Sequence, residues 1–234
     1  MFPGFPPEAL VFLRALARNN RREWFQPRKE TFEKQVRGPM LETVEALNEE
    51  FSRFAPEYVN DPKKAVFRIY RDTRFSADKT PYKTHVAAVF RRGGDKLASP
   101  ALYFAVSAAE VTVAGGVYEP APEQLLAIRA WLAENHAAFR KVSRGAEKVL
   151  GALQGESLQR IPKGFPATHP AADLLKMKRW VYHTTFEAEL ACSPKLVKEI
   201  SRRFRAMTPA LEMLNVPLAS LKKSNERAAA MFTR

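Results

Sequence analysis

Between residues 65 and 118 four short apolar stretches follow one another, joined by a polar connection (72–84), a glycine-bearing one (92–100) and Ala108-Ala109. They are AVFRIYR (65–71), HVAAVFR (85–91), ALYFAVS (101–107) and EVTVAGGVY (110–118). Each is rich in β-branched or aromatic residues and shorter than an ordinary helix. A parallel sheet needs a crossover of a dozen or more residues, usually a helix, between paired strands. No helical periodicity separates these four. They predict an antiparallel meander and argue against a doubly wound parallel sheet. In the first stretch Val66, Arg68 and Tyr70 share one face and Phe67, Ile69 and Arg71 the other. RGGDK (92–96) carries paired glycines that allow the positive φ of a turn.

Helices are expected on both sides of this sheet. Phe12, Leu13 and Leu16 share one face of a segment over 7–18, and Asn19-Asn20 reads as a stop followed by a new cap. A second helix over 27–36 starts with Pro27 in its first turn and is broken by Gly38-Pro39. A third spans 40–54, with Leu41, Val44, Leu47 and Phe51 at spacings of three and four. After the sheet come a helix over 120–135, with Leu125, Ile128, Trp131 and Leu132 inward, and a second over 139–153. RIPKGFPATHP is a loop, AADLLKM a short helix and RWVYHTTF a candidate fifth strand. Ser193, followed by Pro194, caps a last helix to about Met207. The expected whole is one α+β domain over 1–234. Its parts are a helical segment (1–60), an antiparallel meander (64–118) that makes a sheet of four to five strands, and further helices with one strand (120–215).

Apolar residues make up 46% of the chain, enough for a core. Lys and Arg number 38 against 25 Asp and Glu, a formal net charge of +13. Residues 1–120 hold 19 cations against 15 acids, and residues 121–234 hold 19 against 10, so most of the excess lies in the second half. Such a balance favours anionic partners, either nucleic acid, phosphorylated small molecules or acidic protein. Cys192 is the only cysteine, which excludes an intrachain disulfide, fits a reducing compartment and, with four histidines, argues against a structural zinc site. Neither a cofactor nor a metal is expected. The N-terminal stretch lacks a signal-peptide pattern, and no run approaches the ~20 apolar residues of a membrane span. A cytoplasmic protein without a membrane partner is expected. Oligomeric state leaves no mark in the sequence.

The most chemically loaded stretch is FRIYRDTRFSADKTPYKTHVAAVF (67–90). About a dozen residues, 72–83, join two expected strands where a hairpin needs ~2–5, and long ordered loops are often functional. The connection and its approach hold Arg68, Arg71, Arg74, Lys79 and Lys83 around two acids, Asp72 and Asp78. One reading is an Arg–Asp network that staples the loop. The other is an anion pocket in which Arg68, Arg74 and Lys83 hold a phosphate or carboxylate, Arg71 and Lys79 add charge, Asp72 and Asp78 orient the arginines, and Tyr82 stacks or donates a hydrogen bond. An enzyme acting on a phosphorylated or carboxylated small molecule, with Asp72, Asp78 or His85 as proton carrier, is the alternative. An interaction scaffold with a purely structural network is a third. A divalent metal is disfavoured by the surrounding cations.

Other stretches carry weaker signals. Gly115 and Gly116 before a helix start resemble no phosphate loop, since no Gly-Lys-Ser/Thr follows. Lys163, His169 and Lys176 are secondary candidates in a cationic loop, with His169 equally suited to local capping. Lys195, Lys198, Arg202 and Arg205 form a basic stripe opposite Leu196, Ile200, Phe204 and Met207, the pattern of an amphipathic helix or of a nucleic-acid backbone track. No catalytic triad, zinc motif or dinucleotide fingerprint is present.

The segment YRDTRFSADKTPYKTH (70–85) closely resembles the signature of the family catalogued as Domain of Unknown Function 2461. FPPEALVFLRALARNNRREWF, GGVYEPAPEQLLAIR and IPKGFPATHPAADLLKMK extend the resemblance over roughly residues 4–210. It implies a compact α+β protein and no assigned reaction.

Overall fold

A computed structural model describes residues 2–94 and 100–232, with side chains to residue 223. The chain divides into two compact units. The first comprises Met1–Gly94, Leu102–Val113 and Thr184–Arg202, and the second Asp95–Ala101, Ala114–His183 and Arg203–Arg234.

Helices α1 (Pro7–Arg18), α2 (Arg22–Phe25), α3 (Lys29–Phe32), α4 (Gly38–Phe54) and α5 (Pro62–Ala65) precede the sheet. The strands are β1 (His85–Arg91), β2 (Ala101–Ser107), β3 (Glu110–Val117) and, after α6 (Pro122–Leu150) and α7 (Ala172–Lys176), β4 (Trp180–Glu187). Helix α8 (Leu196–Phe232) follows. The fold is α+β, with one four-stranded antiparallel sheet in the order β1-β2-β3-β4 and helices from both ends of the chain. The meander expected from the short apolar runs is present over β1–β3, and RWVYHTTF supplies β4 on its edge. The turn expected at RGGDK begins with Gly93 at φ 62° and Gly94 at φ 70°. Asp95 and Lys96 lie outside the described residues.

Four expectations are corrected. Residues 66–71 do not form a regular strand. They touch the next segment through two isolated bridges, Val66 to Ala88 and Tyr70 to Tyr82. The bridge positions are offset by four in number on one side and by six on the other, so the register slips and no continuous ladder can form. Gly38-Pro39 does not break the helix. A π-helical turn (Glu33–Arg37) runs directly into α4, and the Gly38 N–H reaches back to the Glu33 carbonyl. Pro39 therefore falls at the first turn of α4, where its missing N–H is tolerated.

The third correction joins the two helices expected over 120–153 into α6, since no residue near Asn135 breaks the helix. The fourth extends α8 past Met207 and through Pro209 and Pro217. Next to Pro209, the Thr208 hydroxyl donates to the Phe204 carbonyl at 2.7 Å.

In the first unit Phe12, Phe25 and Phe32 form an aromatic cluster, with ring centroids 5.5–6.3 Å apart. In the second, Ile128, Leu132, Leu175, Trp180 and Tyr182 are fully buried. Gly116 is forced there: it has φ +141°, and a Cβ on it would lie 2.0 Å from the Trp180 carbonyl oxygen of β4.

Candidate functional site

The cationic connection holds itself together through two local turns. Asp72 accepts from the Arg74 backbone N–H at 3.2 Å, and Asp78 from the Thr80 N–H at 2.9 Å. Both are carboxylates closing a turn on a backbone N–H two residues on. Each turn is then clamped by an arginine. Arg74 donates Nε to Asp72 Oδ1 at 3.0 Å and Nη2 to Oδ2 at 2.8 Å, a two-pronged fork. Arg71 Nη1 bonds Asp78 Oδ2 and also donates to Thr80 Oγ1 at 2.8 Å. Lys79 Nζ ties the turns together by donating to the Thr73 carbonyl at 2.9 Å.

Tyr82 anchors the stretch to the first unit. Its ring is 1% exposed, stacks on Phe25 at 4.1 Å and lies 5.5 Å from Tyr70. Burying such a ring stabilises by about 1.5–3 kcal/mol. Flanking the Tyr70–Tyr82 bridge, the Arg71 N–H donates to the Pro81 carbonyl and the Lys83 N–H to the Ile69 carbonyl. That pattern turns Tyr82's own N–H and C=O away from the 66–71 segment. Asn20 takes both: its Oδ1 accepts from the Tyr82 N–H at 3.0 Å and its Nδ2 donates to the Tyr82 carbonyl at 2.8 Å. The carboxamide thus stands in for a neighbouring strand. Asn60 does the same for Arg91, at 2.8 and 2.9 Å. Of the expected pair of helix-end asparagines, Asn19 ends α1, while Asn20 leaves α2 uncapped and holds the motif instead.

These contacts set the electrostatics. The Arg74 side-chain and backbone hydrogen bonds hold the Asp72 carboxyl down to about 2. Hydrogen bonds from Thr80, then from Arg71, hold Asp78 at about 2 as well. Both acids are ionised at neutral pH and engaged by arginine, which suits orientation and makes them weak proton carriers. Burial, then the charge of Arg68, pushes Lys83 down, and its Nζ sits 4.6 Å over the Phe67 ring. Burial, then Lys83, lowers His85. Arg68 is exposed and forms no ion pair among the described residues.

Beside the motif lies an open cleft of about 870 Å³. Its lining includes Arg71, Asp78, Lys79 and Tyr82 from the motif, together with Arg21 and Arg22 at the start of α2. Arg68, Arg74, Asp72 and Lys83 are outside the lining. Tyr82's ring is taken up by Phe25, so the stacking role expected of it falls away, and the exposed rings nearby are Tyr70 (42%) and Phe75 (96%). Arg21 and Arg22 carry no carboxylate partner among the described residues. Sequence reading missed them, and the only trace they leave is a basic pair at a helix start.

The secondary candidates are placed in the second unit. His169 Nδ1 accepts from the Ala171 N–H at 3.0 Å, a local contact at the start of α7, and its ring meets His136 edge-on at 5.9 Å. Lys163 is exposed and Lys176 half-buried. Lys195, Lys198, Arg202 and Arg205 are exposed, while Leu196, Ile200, Phe204 and Met207 are fully buried, as an amphipathic helix requires. Among the described residues no group of three His, Cys, Asp or Glu is placed to hold a metal ion, and no helix is long and apolar enough to cross a membrane.

The chain belongs to the conserved hypothetical protein family DUF2461, whose match spans residues 8–213. No curated protein and no solved structure matches it.

Proposed function

We propose that this family member binds a phosphate-bearing ligand in the cleft beside the Tyr70–His85 motif, with nucleic acid the first candidate. One observation carries the reading. Arg21, Arg22, Arg71 and Lys79 converge on the cleft against only Glu23 and Asp78, a surplus of two charges. Asp78 is already engaged by Arg71, so Arg21, Arg22 and Lys79 face the cleft with Glu23 as their counterweight. Phosphate oxygens are the natural partners of arginine forks and lysine point charges. An open cleft suits a chain that enters and leaves at its ends, whereas an enzyme for a small molecule favours an enclosed pocket. The state of Asp72 and Asp78 also weighs against proton transfer at neutral pH.

Fluorescence anisotropy with a labelled oligonucleotide at rising salt tests this. The logarithm of affinity is expected to fall linearly with the logarithm of salt. The double variant Arg22→Ala/Lys79→Ala is expected to weaken binding and flatten the slope by roughly 0.7–0.9 for each phosphate no longer neutralised. No binding at low salt, or an affinity indifferent to salt, rejects the proposal.

A further inference from the structure

We infer that the nucleic acid this surface takes is single-stranded, with unpaired bases stacking on the exposed aromatic rings of the motif. This rests on the phosphate-binding reading above and adds to it which form of the polymer is bound. Phe67, Tyr70 and Phe75 fall within nine residues and are 38%, 42% and 96% exposed. A phenylalanine exposed to that degree forgoes the stabilisation of burial, and single exposed apolar residues are common enough to need no explanation. Tyr70 and Phe75 on one cationic stretch are a different matter, whereas Phe67 leans on Tyr103 with ring centroids 6.4 Å apart. Phe75 has the Arg74 guanidinium 5.8 Å from its ring centre, and Phe67 has the Lys83 ammonium at 4.6 Å. Tyr70 lines the cleft that holds Arg21, Arg22 and Lys79.

Rings set among cations are the composition of a single-strand platform. Bases lie on the π-faces while the phosphates track the positive charge. A duplex hides its base faces within its own stack and offers such rings nothing. An acidic peptide or a bare polyphosphate would use the cations and leave the rings idle. Base stacking tolerates any sequence, because every base has a π-face.

The experiment measures binding of labelled (dT)12, (rU)12, a 12-base-pair duplex and long-chain inorganic polyphosphate to the full chain, wild type and Phe75→Ala. The Phe75 ring stands in solvent and takes no part in the core, so the variant is expected to fold as wild type, and circular dichroism checks this. The expected result is tighter binding of the single strands than of the duplex. Phe75→Ala should lose about 5–100-fold on the single strands and nothing on polyphosphate, with Phe75→Trp restoring affinity. If duplex and polyphosphate bind as tightly as the single strands and Phe75→Ala changes nothing, the stacking inference falls and phosphate binding stands. If none of the four binds at low salt, both fall.

Discussion

Replacing Asn20 with alanine removes the only side chain bonded to both backbone groups of Tyr82 among the described residues, and the cost can be worked out from the structure. Two hydrogen bonds disappear, at 2.8 and 3.0 Å. Each contributes about 1 kcal/mol net. Tyr82 is 1% exposed, so water reaches its freed N–H and C=O poorly, and incomplete satisfaction adds to the loss. The sum is about 2–4 kcal/mol. For a chain of 234 residues each kcal/mol moves the midpoint of thermal unfolding by about 2–4 °C, so Asn20→Ala should lower it by roughly 4–16 °C. Asn20→Asp makes a sharper control. It keeps the acceptor for the Tyr82 N–H but sets a second oxygen against the carbonyl, and it should lose at least as much. Amide hydrogen exchange locates the effect, because the Tyr82 N–H should lose protection in Asn20→Ala, where its acceptor is gone, while the Lys83 N–H, bonded to the Ile69 carbonyl, loses less. A midpoint within about 2 °C of wild type, with Tyr82 still protected, would refute the reasoning.

Further outcomes follow from other parts of the molecule. Gly116→Ala places a Cβ 2.0 Å from the Trp180 oxygen at φ +141°, and should cost about 3 kcal/mol or more or prevent soluble expression. Gly145→Ala, inside the C-terminal part of α6 with nothing within 4 Å of the new methyl group, should raise stability by about 0.5–1 kcal/mol in urea unfolding. Asp72 and Asp78 fold with pKa values depressed to about 2 from 3.8, so the stabilisation they give is complete above about pH 4 and is lost as pH falls towards 2. Carboxyl-carbon NMR titration should place both transitions near 2, and transitions near 4 would remove the arginine clamps. Burial pushes the Tyr182 phenol up to about 12, and its oxygen sits 2.6 Å from Ser143 Oγ, which in turn donates to Glu147 at 2.7 Å. Its contribution is therefore fully present below 10 and lost as pH rises through 12. Ultraviolet difference spectra of wild type against Tyr182→Phe should show no tyrosinate from this ring below about 11.

What could be read from the sequence and what could not divide along one physical line. Strands β1, β2 and β3 were legible because each is a short apolar run ended by a local turn, so the pattern and its cause sit in the same few residues. The acids of the motif were legible for the same reason. Asp72 pairs with Arg74 two residues away, and Asp78 with Thr80 two away and Arg71 seven away. Prolines misled, because their effect depends on whether the helix already lacks a bond at that point. The π-turn before Pro39 supplies that condition, and no composition rule reveals a π-turn. Asn20 and the arginines beside it were illegible because their meaning is tertiary. The bond from Asn20 to Tyr82 spans 62 residues, and the doubled asparagine at the end of α1 gives no hint that only one of them is needed there.

The same contrast between local and distant contacts decides what the charges of the motif are for. Ordering each residue of a loop costs about 1–2 kcal/mol in backbone entropy, and exposed ion pairs recover little of that. Arg74, Asp72 and Asp78 are largely exposed, so their pairs cannot be the main support of the residues between Arg71 and Lys83. Support comes instead from the buried Tyr82 ring and the bonds flanking it, while the ion pairs select one arrangement of the turns. Asp78→Asn separates these roles. The amide keeps an oxygen for the Thr80 N–H, so the turn survives, but Arg71 loses its counter-charge and faces the cleft with its charge free. The unfolding midpoint should stay within about 2 °C of wild type. Oligonucleotide binding should tighten, and its salt dependence should steepen by about 0.7 for a single strand if Arg71 gains one phosphate. A drop in the midpoint of about 6 °C or more would show that the ion pair carries the loop. Weaker binding at an unchanged midpoint would show that Arg71 serves the ligand only while Asp78 aims it.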